Sequence, residues 1–162
     1  MFFSNYSLRA KTLVIFLLII SPWLFVQAVI IVLAPDEEIK NMPSCDSNSG
    51  NCAYLGGVED YRMDASLNTQ FTQNSSTIAQ LLNQYIEDVD GEILYQEQNN
   101  ETYFFHFVEE TVFWQFPDDI VVQISQSGDG CIIEMYSKSR LGMSDIGVNP
   151  QRLEKIHSHL SD

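Results

Sequence analysis

The chain has 162 residues, with 22 acidic and 8 basic side chains and a formal net charge of −14. Its length is typical of one folded domain, and a hydrophobic content of 45% excludes a disordered polymer. All the acids follow residue 34, where they meet only 6 bases. A surface this negative repels phosphate backbones, so nucleic-acid binding is excluded as a function.

The first 34 residues carry only two charged side chains, Arg9 and Lys11. The uncharged stretch at residues 12–34 would form a helix longer than the ~30 Å hydrocarbon core of a bilayer. We therefore predict a transmembrane signal anchor over residues 12–34, with residues 1–11 in the cytoplasm. The protein would be a single-pass protein of the inner (cell) membrane that contacts lipid through this helix. The rest of the chain would lie in the periplasm or another extracytoplasmic space.

A cleaved signal peptide is the alternative for the same segment. Its apolar core would be residues 13–20, and cleavage would follow Ala28. The mature chain would then begin with five apolar residues, 29–33. Hydrocarbon accommodates these residues better than water does, so the uncleaved anchor is favoured.

Residues 35–74 are polar and irregular, which predicts a linker and an arm packed on the domain. Within them, Cys45 and Cys52 enclose six residues. An exported domain meets an oxidising compartment, so a Cys45–Cys52 disulfide is expected, with Cys131 left as a buried thiol.

Metal-binding patterns are absent from the sequence. There is no CxxC and no HExxH, and His157 and His159 stand two residues apart, on different faces of a predicted helix. We therefore expect no metal site and no cofactor.

The domain at residues 75–162 opens with a helix. Apolar side chains recur at helical spacing from Ile78 to Val89. Thr77 with Gln80 three residues later predicts a capping box, and Asp90-Gly91 ends the helix.

Strand patterns follow. Residues 92–98 alternate loosely, and residues 102–108 are apolar on both faces, as in a strand that is covered on both sides. Residues 111–116 fit a strand or an aromatic crossover equally. Residues 119–125 and 131–139 predict a hairpin closed by the turn at 127–130.

The faces of these strands are also predicted. The alternation in residues 131–139 turns Ser137 and Ser139 towards the core and Tyr136 and Lys138 towards solvent. Three aromatic residues of the crossover either belong to the core or line an apolar groove for lipid or a partner: Phe113, Trp114 and Phe116.

The last element is a helix after Asn149-Pro150, which predicts an Asn149 N-cap with proline in the first turn. The order of elements predicts an α+β fold. We expect an antiparallel sheet of about four strands with helices on one face, preceded by the transmembrane helix.

The segment between the last strand and the last helix carries the most specific pattern in the chain. It reads Ser-x-Ser-Arg-x-Gly-x-Ser-Asp-x-Gly-x-Asn-x-x-Arg, and its fixed positions are Ser137, Ser139, Arg140, Gly142, Ser144, Asp145, Gly147, Asn149 and Arg152. This motif resembles that of the uncharacterised family called domain of unknown function 1499. The paired Asp118-Asp119 and the Asn51-Cys52 step also resemble features of that family, over roughly residues 43–160. Tyr136 and Lys138 depart from its pattern, which has arginine and a small residue there.

Three interpretations of this motif remain open. In the architectural one, Gly142 and Gly147 supply positive φ, and Asp145 and Asn149 cap the turn and the helix. Arg140 then pairs with Asp118, Asp119 or Asp145, and the two serines donate to backbone carbonyls.

In the second interpretation, the loop amides with Arg140 and Arg152 bind a small anion such as a carboxylate or phosphate group. In the third, Ser137 or Ser139 is the nucleophile of a hydrolase, facing His106 across the sheet while Asp119 orients the ring. The adjacent Asp118 and Asp119 face opposite sides of a strand, so they cannot act as a paired acid and base.

Together, these patterns favour a membrane-anchored, exported binding or scaffold module without catalysis. A small anionic ligand or a protein partner would bind it. The alternative is a hydrolase that uses a serine of the Ser137–Asn149 motif.

Overall fold

The computed structural model describes residues 7–57, 60–100 and 102–161. Part of the predicted cytoplasmic segment, residues 1–6, therefore lies outside the described residues. Within the described ranges, three helices and six strands follow one another. They are α1 (Leu8–Leu33), β1 (Cys52–Leu55), β2 (Gln70–Phe71), α2 (Ser75–Asp88), β3 (Glu92–Asn99), β4 (Thr102–Glu110), β5 (Pro117–Ser127), β6 (Gly130–Ser139) and α3 (Val148–Ser161).

The strands form one antiparallel sheet in the order β1-β6-β5-β4-β3. The short strand β2 pairs with β6 as well, farther along the edge that β1 occupies. The α+β class is thus confirmed, but the sheet has six strands instead of about four. The two additional strands, β1 and β2, come from the arm. They have four and two residues, too few to show an alternation in the sequence, and pairing with the edge of β6 orders them.

One face of the sheet carries the main hydrophobic core beneath α2 and α3. Phe105, Ile120 and Ile133 lie on this face and are fully buried. Cys131 is buried there too and is a free thiol, as predicted. Leu82 and Ile156 bring the two helices into the same cluster.

The opposite face is covered by the arm. Tyr136 packs there with Phe104 and Val121 under partly buried residues of the arm such as Ile39 and Met42. The expectation that Tyr136 faces solvent is wrong, since only 5% of the residue is exposed. A disulfide between Cys45 and Cys52 links the part of the arm that precedes β1 to that strand, as predicted.

Two helix starts differ from the predictions. Helix α2 begins at Ser75 because Asn74, not Thr77, is its N-cap and accepts a hydrogen bond from the Thr77 amide. Helix α3 already includes Asn149, whose amide donates to Asp145. The capping carboxylate is therefore that of Asp145, which also accepts from the Gly147 amide.

Helix α1 is long and apolar enough to cross a membrane, with a mean hydropathy of 2.6 over its best window. A membrane anchor and a signal sequence both fit this property. The helix continues through Pro22 and meets the domain near its carboxyl end, where Ile30 and Ala34 are buried. Residues 111–116 form neither of the expected alternatives but a turn-rich loop, the β4–β5 loop, beside α1.

Candidate functional site

The residues of the motif meet at the end of the sheet where β5 starts and β6 ends. Asp118 pairs with Ser139 in the register of these two strands, and Asp119 pairs with Lys138. Adjacent residues of a strand point to opposite faces. The two acids therefore face opposite sides of the sheet, as the sequence predicted, with Asp118 towards the helices and Asp119 towards the arm.

On the helix side, Arg152 of α3 binds two acids of the sheet. Its Nη2 lies 2.6 Å from the Asp118 carboxylate, and its Nε lies 3.0 Å from that of Glu109. All three side chains are at most 14% exposed. A guanidinium so placed offsets the cost of burying two carboxylates.

Asn149 is the centre of the hydrogen-bond network on this side, and it is fully buried. Its Oδ1 accepts from the Ser137 hydroxyl at 2.6 Å and from Arg152 at 3.1 Å. Its Nδ2 lies within hydrogen-bond distance of the Asn51 carbonyl and the Ser139 hydroxyl. The two serines thus contact a side-chain amide, which corrects the expectation that they donate to backbone carbonyls.

Asp145 accepts from the next arginine of the site. Arg62 donates to it through both terminal nitrogens, at 2.6 and 3.2 Å. Burial would raise the pKa of Asp145, but the hydrogen bonds from Arg62, the Gly147 amide and Asn149 outweigh it and lower the pKa to about 2. Asp145 is therefore an ionised cap at the start of α3.

On the arm side, Arg140 binds both the sheet and the segment that follows α1. Its Nε lies 3.0 Å from each carboxylate oxygen of Asp119, and its Nη2 lies 2.8 Å from one of them. Its Nη1 donates to the carbonyls of Ala34 and Pro35 and to the carboxylate of Asp36, the last at 2.6 Å. Arg140 thus connects the end of the apolar helix to the domain.

His106 completes this cluster from β4. Its Nδ1 accepts from the Ile39 amide at 3.0 Å, so the proton of the neutral ring sits on Nε2, which lies 2.9 Å from Asp119. Burial would raise the pKa of Asp119, yet hydrogen bonds from His106 and Arg140 hold its pKa below the usual value. His106 is fully buried and connects the arm to the sheet.

The predicted arrangement of Ser137, His106 and Asp119 for a serine hydrolase is not formed. Ser137 is paired with Ile120 and lies on the helix side, whereas His106 pairs with Val121 and lies on the arm side. The sheet therefore separates the expected nucleophile from the expected base. Ser144 is exposed in the loop after β6, and its hydroxyl lies 3.5 Å from the Ile146 amide.

The two arginines of the expected anion site are occupied by protein oxygens. The Nε, Nη1 and Nη2 atoms of Arg140 and Arg152 each contact an oxygen of the chain. Gly142 and Gly147 have φ values of 95° and 86°, as the architectural interpretation predicted. Within residues 7–57, 60–100 and 102–161, no group of three His, Cys, Asp or Glu side chains is placed to hold a metal.

An apolar cleft of about 380 Å³ adjoins the motif. It lies between the β4–β5 loop and the loop at residues 141–147, which we call the motif loop. Its apolar lining includes Phe116, Leu141, Ile146 and Val148. Phe116 therefore faces a groove, while Phe113 and Trp114 are 67% and 39% exposed and lie outside the core.

Sequence reasoning missed Arg62 and Glu109 as members of the site. Arg62 stands in the irregular arm, where no periodicity predicts its direction. One signal was present, since Arg62 is one of only three arginines after residue 34 and the other two belong to the motif. A base inside so acidic a chain requires a carboxylate partner when it is buried.

Comparison with known proteins gives one family. A model described as protein of unknown function DUF1499 matches residues 27–160. Neither the curated proteins nor the solved structures gave a significant match.

Proposed function

This chain belongs to the DUF1499 family of proteins of unknown function, and we propose that it is a membrane-anchored, exported binding or scaffold module without catalysis. The observation that carries this proposal is the position of Arg140. One guanidinium binds Asp119 of the sheet and the carbonyls of Ala34 and Pro35 at the end of α1. Such a contact would hold the domain in a fixed orientation relative to its anchor.

Retention of the helix is supported by its contacts with the domain. Trp23 and Gln27 donate hydrogen bonds to backbone carbonyls of the β4–β5 loop. Cleavage after Ala28 would remove both donors. The Cys45–Cys52 disulfide supports export, because disulfides persist in oxidising compartments.

The absence of catalysis is supported by how the polar groups of the motif are used. Asp118, Asp119 and Asp145 each bind an arginine, and Ser137 binds Asn149. In the part of the chain that the structure describes, the one buried side-chain nitrogen or oxygen without a partner belongs to His159, which is outside the motif. A satisfied network of this kind stabilises a fold instead of activating a nucleophile.

The surface proposed for binding is the apolar cleft beside the motif loop. Its walls suit an apolar ligand or the apolar side chains of a protein partner more than a small anion. The three arginine–carboxylate clusters would then hold the motif in a fixed conformation, and the exposed apolar side chains of the cleft would contact the ligand or partner.

Two measurements on the full chain test this proposal. Alkaline phosphatase fused to the carboxyl terminus should be active in a bacterial host, because that enzyme needs an oxidising compartment, and the fusion should stay in the membrane after an alkaline wash. Two results would contradict the anchor. One is an inactive phosphatase fusion together with an active fusion to a reporter that works only in the cytosol, and the other is release of the protein by alkali. A serine-directed phosphonate should leave Ser137, Ser139 and Ser144 unlabelled, and an adduct on any of them would contradict the non-catalytic function.

A further inference from the structure

We propose that the β4–β5 loop, residues 111–116, inserts into the outer half of the bilayer beside α1. The domain would then contact the membrane at two places, the anchor helix and this loop. The inference rests on the anchor of the proposed function and adds an interaction surface whose partner is lipid hydrocarbon.

The depth of the loop follows from its contacts with the helix. The indole nitrogen of Trp23 lies 3.0 Å from the Phe113 carbonyl, and Nε2 of Gln27 lies 2.8 Å from the Trp114 carbonyl. Gln27 and Trp23 precede the end of α1 at Leu33 by six and ten residues, which at a rise of ~1.5 Å per residue is about 9 and 15 Å. A hydrocarbon core of ~30 Å that ends near Leu33 would therefore enclose the loop.

Part of the backbone of the loop is paired within the protein. Irregular backbone is tolerated at membrane depth where it is buried in protein, and each polar group that has a partner lowers the cost of leaving water. Within the loop, the Thr111 amide donates to the Phe116 carbonyl at 3.0 Å, and the Gln115 amide donates to the Thr111 carbonyl at 2.8 Å. The two carbonyls nearest the tip accept from α1. The same bond satisfies Gln27, the one strongly polar side chain of the predicted span.

Three side chains at the tip of the loop fit hydrocarbon better than water. Val112 is fully exposed, Phe113 is 67% exposed and Trp114 is 39% exposed. No charged residue stands between Glu110 and Asp118. Consecutive exposed apolar residues at the tip of one loop are typical of a surface that contacts a membrane or a partner, and continuity with the anchor helix assigns this one to lipid.

Four acids close to the loop are paired with arginines, whereas Glu110 is exposed. Arg152 binds Glu109 and Asp118, and Arg140 binds Asp119 and Asp36. The charge pairs of the motif therefore lie at the end of the domain that would meet the bilayer.

Tryptophan fluorescence of the full chain in lipid vesicles tests the insertion, because the chain has two tryptophans. Trp23→Phe leaves Trp114 as the reporter of the loop, and Trp114→Phe leaves Trp23 as the reporter of the helix. Phosphatidylcholine brominated on its acyl chains should quench both, and aqueous iodide should quench neither. A matched control is Asp129→Trp in the variant that lacks both natural tryptophans, which places a single tryptophan in the exposed β5–β6 turn. Iodide should quench this tryptophan and brominated lipid should not.

The outcomes separate the two proposals. Quenching of Trp23 by brominated lipid, with quenching of Trp114 by iodide only, would overturn the inserted loop and leave the anchor. Quenching of both tryptophans by iodide only would overturn the anchor and the loop together.

A cysteine variant gives a readout that leaves both tryptophans in place. Val112→Cys should resist a membrane-impermeant maleimide in vesicles that display the domain outside, whereas Asp129→Cys should react fully. The natural cysteines do not compete, since two form the disulfide and Cys131 is buried. Equal reaction at positions 112 and 129 would overturn the insertion.

Discussion

Asp118 and Asp119 are adjacent in the chain, yet they bind different arginines on opposite faces of the sheet. Asp118 lies 2.6 Å from Nη2 of Arg152 in α3, and Asp119 lies 2.8 Å from Nη2 of Arg140. One dipeptide thus holds the last helix on one side and the segment that follows α1 on the other. The alternation of side chains along β5 makes this possible.

The first prediction concerns the fork of Arg140. Arg140→Lys should lower the free energy of unfolding by ~1–3 kcal/mol, because an ammonium cannot reproduce the paired bonds to Asp119 in a side chain that is 8% exposed. Chemical unfolding of the full chain in detergent micelles measures this change.

A matched control uses a solvated ion pair. Lys40 binds Glu38 with both side chains more than half exposed, so Lys40→Gln should leave the stability almost unchanged. Equal stability of the wild type and Arg140→Lys would mean that Arg140 is not a structural residue.

The second prediction concerns the tautomer of His106. Its Nδ1 accepts from the Ile39 amide, so the neutral ring should carry its proton on Nε2 and donate to Asp119. Nitrogen-15 NMR distinguishes the two tautomers in the full chain. A proton on Nδ1 would contradict the contact between the arm and the sheet.

The third prediction concerns acid stability. The pKa of Asp145 falls from an ordinary value of 3.8 to about 2 on folding. A lowered carboxyl pKa contributes stability above pH ~4 that is lost as the pH falls through ~2, on the order of 1–2 kcal/mol. Asp145→Asn should therefore remove part of the pH dependence of unfolding in this window.

Arg62→Gln is the companion variant for that measurement. It removes the base that contributes most to lowering the pKa of Asp145. The free energy of unfolding should therefore depend less on pH in the same window. An unchanged slope between pH ~4 and ~2 in both variants would contradict the assignment of Asp145.

The fourth prediction concerns strain in the motif loop. Ile146 has a φ of 52° and is 93% exposed. A branched side chain in this conformation costs ~1–2 kcal/mol, whereas asparagine tolerates it. Ile146→Asn should therefore raise the free energy of unfolding by about 1 kcal/mol.

Met143 provides the control for that variant. It is also 93% exposed and lies in the same loop, but its φ is negative. Met143→Asn should change the stability by less than ~0.5 kcal/mol. Equal gains from both variants would show that surface polarity, not backbone strain, is responsible.

The sequence predicted the parts of this molecule that depend on local patterns. The antiparallel hairpin of β5 and β6, the opposite directions of Asp118 and Asp119, and the disulfide all follow from alternation, turn residues or spacing. The left-handed positions of Gly142 and Gly147 follow from their residue type.

The parts that were not predicted depend on contacts distant in sequence. Arg62 binds Asp145, which stands 83 residues later in the chain. Asn149 does not cap α3 as expected, and its side-chain amide donates to the Asn51 carbonyl. Tyr136 is buried because the arm lies over it, and nothing in the alternation of β6 reports the arm. Tertiary contacts override local preference at these positions.

The most direct test of this account is the intact mass of the full-length protein extracted from alkali-washed membranes. The account predicts a single species that retains residues 12–34 and contains one disulfide, because α1 is both the anchor and a donor of hydrogen bonds to the domain. A soluble species that begins at Val29 would contradict the anchor and the inserted loop together.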